Sequence, residues 1–144
     1  MIDTELKIWA AGMFDGEGSA LIERTGVSRS NYQIVVAVAN TNSKLSIPIM
    51  EAWGGHHRVN QDQNKFAKDG SIRRTDYTVY FSRDEAKRFL VDIYPYLRAK
   101  RGEALVVVRA ILAQKAAIKE SGLRGSSSVL EPFYVQLQGL QRNH

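Results

Sequence analysis

The stretch Trp9-Ala10-Ala11-Gly12-Met13-Phe14-Asp15-Gly16-Glu17-Gly18 decides the fold. Gly12 and Gly16 lie four apart, so in a helix they share one face, with Ile8 a turn earlier. Glycine inside a helix costs about 1 kcal/mol relative to alanine, but a face without side chains lets a second helix approach closely. The helix should end near Asp15 or Gly16. Glu17 then follows between two glycines, where the backbone can bend and present a carboxylate.

Working outward, Asp3 or Thr4 caps this helix, Glu5 suits its first turn, and Leu6, Ile8, Trp9 and Met13 supply bulk around the small residues. Residues 19–25 and 31–40 read as strands of an antiparallel hairpin, joined by the loop-like Gly26-Val27-Ser28-Arg29-Ser30. In the second strand Tyr32, Ile34, Val36 and Val38 share one face and Gln33, Val35, Ala37 and Ala39 the other; the bulkier row should meet the core. Ser43 or Ser46 starts a helix toward Trp53. Pro48 is best tolerated in a first turn, so the regular helix is expected to begin late, and Gly54-Gly55 stops it. Residues 57–66 and 72–82 form a second hairpin turned at Ala67-Lys68-Asp69-Gly70, with Tyr77, Val79 and Phe81 on one row and Arg74, Asp76, Thr78 and Tyr80 on the other.

Ser82 with Glu85 is a capping-box pattern for a helix running to about Tyr94, closed by Pro95. A further helix runs from about Arg98 to Lys119. Residues 121–128 are rich in glycine and serine and lead to an amphipathic segment after Pro132 carrying Phe133, Val135, Leu137 and Leu140. The expected division is one domain over residues 1–120, with 121–144 a linker and a C-terminal segment packed on it. The fold class is α+β with an antiparallel sheet.

The glycine-rich stretch resembles the signature of the LAGLIDADG homing endonucleases: small, Gly, two apolar, Asp, small, Asp or Glu, Gly. Ala11 through Gly18 matches it position by position, while Ala10 stands where the family usually has leucine. The order helix, hairpin, helix, hairpin, helix, helix (αββαββαα) is also the family's order, with a curved sheet carrying helices on one face and a saddle-shaped DNA-binding surface. No second copy of the motif occurs. Family members with one motif per chain are homodimers, so the resemblance implies a homodimer whose interface includes Ala11, Gly12, Met13, Asp15 and Gly16.

A length of 144 residues with 44% hydrophobic content allows one domain with a real core. A net charge of +5 and a pI of about 9.6 favour a polyanionic partner. The absence of cysteine excludes disulfides, thiolate zinc sites and cysteine nucleophiles. Asp3, Glu5 and Lys7 interrupt any apolar leader, and no run is long enough for a membrane, so an intracellular protein without membrane partner or organic cofactor is expected.

The resemblance implies a sequence-specific endonuclease that hydrolyses both strands of a long pseudo-palindromic DNA site. Two Glu17 carboxylates brought together at a twofold axis would repel unless cations lay beside them. Carboxylate and backbone carbonyl oxygens suit Mg²⁺, with Mn²⁺ or Ca²⁺ able to substitute for binding. By resemblance Glu17 is catalytic and, with Gly16, ligates metal, while Asp15 has a structural role at the helix end. Asn40 resembles the polar residue that orders catalytic water, or is a strand-end turn residue. Lys100 resembles the pocket lysine, or is one of several solvated basic groups. Adjacent on a strand, His56 and His57 point to opposite faces and make a poor metal pair.

A ten-residue strand is about 33 Å long, close to one duplex turn, so the sheet can track the major groove. Side chains suited to base edges stand at Ser19, Glu23, Thr25, Gln33, Arg58, Asn60, Arg74, Asp76 and Thr78. Arg29, also placed at the DNA surface, suits phosphates, as do Lys65, Lys68, Arg73 and Arg101. The rival from another class is a protein of the same fold that binds DNA or RNA without cutting, as a maturase or a transcription regulator. A purely structural dimerisation domain is a further alternative.

Overall fold

The computed structural model describes residues 2–26, 31–40, 42–60, 76–122 and 127–142. The expected turn at Ala67-Lys68-Asp69-Gly70 and the strand residues 61–66 and 72–75 lie outside them.

The first helix, α1 (Thr4–Glu17), starts at Asp3, whose side chain accepts from the Glu5 N–H at 3.0 Å. It runs one to two residues further than the sequence suggested, because Gly18 takes the C-cap and sends its N–H back to the Phe14 carbonyl. Its inward face is small and aromatic: Ala10, Ala11 and Phe14 are fully buried. Phe14 meets the edge of Phe89 at 5.7 Å, and Phe89 in turn contacts Trp53 at 5.0 Å and Phe81 at 4.6 Å. Phe14, Trp53 and Phe89 are fully buried, and such rings contribute more to burial than any other core side chain.

Strands β1 (Gly18–Thr25) and β2 (Asn31–Asn40) pair antiparallel from Gly18↔Val38 to Thr25↔Asn31. Strands β3 (His56–Asn60) and β4 (Asp76–Tyr80) form the second antiparallel pair, and β4 docks on β2 through Ala37↔Tyr80 to Asn40↔Tyr77. The sheet order is β1-β2-β4-β3. The period of two decides which row is buried. Ala20, Ile22, Val36, Val38 and Val79 face the helices, as the bulkier row was expected to. The opposite row is open.

Helix α2 (Ser43–Trp53) starts at Ser43, one of the two expected starts, and is capped by Asn42, which accepts from the Lys44 N–H at 3.0 Å. It begins before Pro48, not at it. Pro48 therefore removes one ladder hydrogen bond inside the helix, which is compatible with burial of Ile49 and Trp53 at its end. Helix α3 (Arg83–Ile93) has the full capping box of Ser82 and Glu85, and a short 3₁₀ turn with Pro95 ends it. Helix α4 (Arg101–Ser121) begins three residues later than Arg98. After it, α5 (Glu131–Arg142) contributes Leu137 to the same hydrophobic core as Leu130, just before it. Ser127 ties this segment to the sheet: its Oγ accepts from the Tyr32 N–H at 2.6 Å, and Tyr32 packs on Tyr134.

Candidate active site and nucleic-acid interface

Glu17 is the last residue of α1 and is exposed. An acid at a helix C-terminus opposes the macrodipole, and α1 has no basic residue in its last turn. The compensating charge comes from 83 residues away. Lys100 donates from Nζ to the Gly18 carbonyl at 2.6 Å and to the Phe14 carbonyl at 3.2 Å, on either side of Glu17. Its ammonium also lies 5.8 Å from the Phe14 ring centroid.

Asp15 makes the reciprocal contact. Its carboxylate accepts from three consecutive backbone N–H groups, Arg98 at 2.8 Å, Ala99 at 3.1 Å and Lys100 at 3.0 Å. These bonds hold residues 98–100 out of regular helix, which is why α4 starts at Arg101. The side chain of Lys100 thus grips α1 while α1 grips its backbone. Asp15 therefore has the structural role expected of it, and it is turned toward its own chain rather than outward.

Gly18 is needed for a steric reason. A Cβ there would land inside the Phe14 ring, within 2.6 Å of its Cγ, and Phe14 is itself fully buried. The glycines on the outer face are the opposite case. Gly12 and Gly16 are exposed, a Cβ on either would meet nothing within 4 Å, and Ile8 beside them is 51% exposed. The bare helix face expected from the sequence is present and uncovered by the described residues. Met13 is half-buried. Ala11 is a correction: it belongs to the fully buried row beside Phe14, so its own chain has already covered it.

Asn40 ends β2 near the C-terminal end of α1, two residues past the Gly18↔Val38 pair. Its Oδ1 accepts from the Asn42 N–H at 2.9 Å, so the turn role is real, and the amide NH₂ is what it can offer elsewhere. The open side of the sheet forms a concavity of about 640 Å³ lined by Ser19, Glu23, Gln33, Arg58 and Thr78 among others. Thr25 shares their row. Asn60 and Asp76 pair at the end of β3 and β4, with their backbone alone described, and Arg29 and Arg74 lie outside the described residues. Thr78, on a central strand between Ala39 and Arg58, lines the floor of this groove at 5% exposure. The sequence reading passed over Leu21, Val35, Ala37, Ala39 and Tyr80, which also line the groove. The same alternation that selected Gln33 could have found them.

Among the described residues no group of three or more histidine, cysteine or acidic side chains could hold a metal ion. The donors that a metal could meet at the end of α1 are the Glu17 carboxylate and the backbone carbonyls beside it. Such hard oxygen donors fit Mg²⁺, which keeps several waters and takes one or two carboxylates.

No protein-family model matches the chain, and no curated protein matches it. Solved structures do. The homing endonuclease I-CvuI, in complex with its target, aligns over 98% of this chain and 83% of its own at a TM-score of 0.64 and 20% identity. The chain has the fold of the LAGLIDADG homing endonucleases. The archaeal intron-encoded homing endonuclease I-Vdi141I, complexed with DNA, has the same TM-score of 0.64 over 99% of this chain and 86% of its own at 15% identity. The homing endonuclease I-TnaI aligns over 96% of this chain and 98% of its own at a TM-score of 0.56 and 15% identity. Within this homing endonuclease fold, Glu17 stands where α1 meets the sheet. No helix among the described residues is long and apolar enough to cross a membrane.

Proposed function

We propose that the chain is a homodimeric, Mg²⁺-dependent, sequence-specific endonuclease that cuts both strands of a long, nearly palindromic DNA duplex. One observation carries this: an exposed carboxylate at the C-terminal end of a bare-faced helix, flanked by the two carbonyls that Lys100 holds, beside the open face of the sheet. Packing the Ile8, Gly12 and Gly16 face of α1 against a second copy brings two such carboxylates together at a twofold axis.

In this proposal Glu17 and the Gly16 carbonyl hold the metal. Bound Mg²⁺ supplies positive charge that activates water and stabilises the oxyanion leaving phosphorus. Lys100 has three N–H donors and spends two on the Phe14 and Gly18 carbonyls, leaving one for a phosphate oxygen or water. Asn40 contributes its amide NH₂ as a donor to water. The open sheet face lies in the major groove.

The test is incubation with a randomised duplex library and Mg²⁺, followed by sequencing of cut ends. Specific ends that disappear in Glu17→Gln while duplex enrichment persists are expected. Cutting retained by Glu17→Gln removes the assignment of Glu17. Enrichment without ends in the wild type establishes a binder instead of a nuclease.

A further inference from the structure

We propose that the middle of the open sheet face recognises thymine by its C5-methyl group, through Leu21, Val35 and Ala39. This deepens the DNA-binding role proposed above and rests on it. Along β2 the residues facing the groove are Gln33, Val35, Ala37 and Ala39, and β1 sets Leu21 directly opposite Val35. Leu21, Val35 and Ala39 are only half-buried and lie outside the core on the other side, which Ala20, Ile22, Val36, Val38 and Val79 fill; Ala37 between them is 7% exposed.

An apolar band on the solvent side is costly unless a partner covers it, and polar groups bound it here. Glu23 and Gln33 pair at one end, Ser19 lies beside Ala37, and Arg58 stands across Thr78 from Ala39. A net charge of +5 favours a polyanion as that partner. On the major-groove edges of DNA the one apolar group is the thymine methyl. A G·C pair against Val35 would lose water from its donors and acceptors and receive no hydrogen bond in return.

Spacing sets the length of the tract. From Val35 to Ala39 the strand runs about 13 Å, which is about four base-pair steps. The band lies toward the Gly18 end of β1, next to Glu17, so it faces the part of each half-site nearest the cut. Beyond it, Gln33 and Glu23 suit adenine and cytosine respectively.

The test selects duplexes from a random library with the wild-type chain. Equilibrium binding of the winner is then measured with each thymine replaced in turn by deoxyuridine, which lacks only the methyl. A thymine-rich tract of about four pairs in each half-site is expected, with each replacement inside it weakening binding about fourfold and replacements outside it having no effect. Val35→Ser, which removes both methyls, should lose the deoxyuridine sensitivity at one position and keep it at the others. An enriched duplex without thymine in the tract, or one bound equally well with deoxyuridine, overturns the inference and leaves DNA binding intact. Failure to enrich any duplex overturns both.

Discussion

Replacing Asp15 by alanine removes the acceptor for three backbone N–H groups at 2.8, 3.1 and 3.0 Å. Hydrogen bonds to a charged acceptor contribute about 1.5–3 kcal/mol each when taken singly, but these share one half-exposed carboxylate and water can replace part of them. A helix-cap substitution costs about 0.5–2 kcal/mol, so a total of about 2–3 kcal/mol is expected for this stronger case. At about 2–4 °C per kcal/mol for a chain of this size, the Tm of Asp15→Ala should fall by about 5–10 °C. Asp15→Asn separates geometry from charge. Its Oδ1 can still accept from Ala99 and Lys100, while its NH₂ would confront the Arg98 N–H, so its loss should be intermediate. Thermal melts followed by circular dichroism, paired with single-turnover DNA cleavage well below the melting range, are the assay. Cleavage should fall in both variants even where they remain folded, because Lys100 is no longer held beside Glu17. An Asp15→Ala Tm within about 1 °C of wild type, or an asparagine variant less stable than the alanine one, would refute the clamp.

Gly18→Ala places a methyl inside the Phe14 ring and should cost about 1–3 kcal/mol as overpacking; a denaturation midpoint unchanged from wild type would show that the turn can shift freely. Trp53→Phe loses the indole N–H bond to the half-buried Asp92 carboxylate at 2.9 Å, so chemical denaturation should show a loss of about 1–2 kcal/mol. The Ser82 backbone N–H, with smaller help from Gly55, holds the Glu85 carboxyl below its usual value of 4.5. A depressed folded-state pKa gives stability that is present above the unfolded value and lost as pH falls through the folded one. The Tm difference between wild type and Glu85→Gln should therefore shrink below about pH 4.5; a difference constant down to pH 3 would contradict the bonding.

The strands that reach into the described residues were legible because burial on one side of a sheet imposes alternation, and Val36 and Val38 opposite Gln33 and Val35 show it directly. The capping box of Ser82 and Glu85 and the Gly54-Gly55 stop were legible because they are local. What the sequence hid was long-range. Nothing near Arg98 announces that its N–H will be taken by Asp15, so the start of α4 was placed three residues early. The start of α2 at Ser43 was legible only as one of two serines, because Ser46 has a similar preference for a helix start. In the site, the place of Glu17 followed from the motif, whereas the dual engagement of Lys100 required the fold to bring it to α1. Ala11 was assigned to the wrong side because a run of small residues does not say which face of its helix the core will claim.

The bare face of α1 supplies the most direct measurement. Among the described residues of one chain a Cβ at Gly12 meets nothing within 4 Å and the position is exposed, so Gly12→Leu should be harmless to a monomer and even favour the helix by about 0.8 kcal/mol. Sedimentation equilibrium on both proteins decides the matter. Pairing through this face predicts wild type at twice the chain mass and Gly12→Leu at the mass of one chain, without DNA cleavage. A wild-type protein sedimenting as a single chain, or a Gly12→Leu variant that is still dimeric and active, would contradict it.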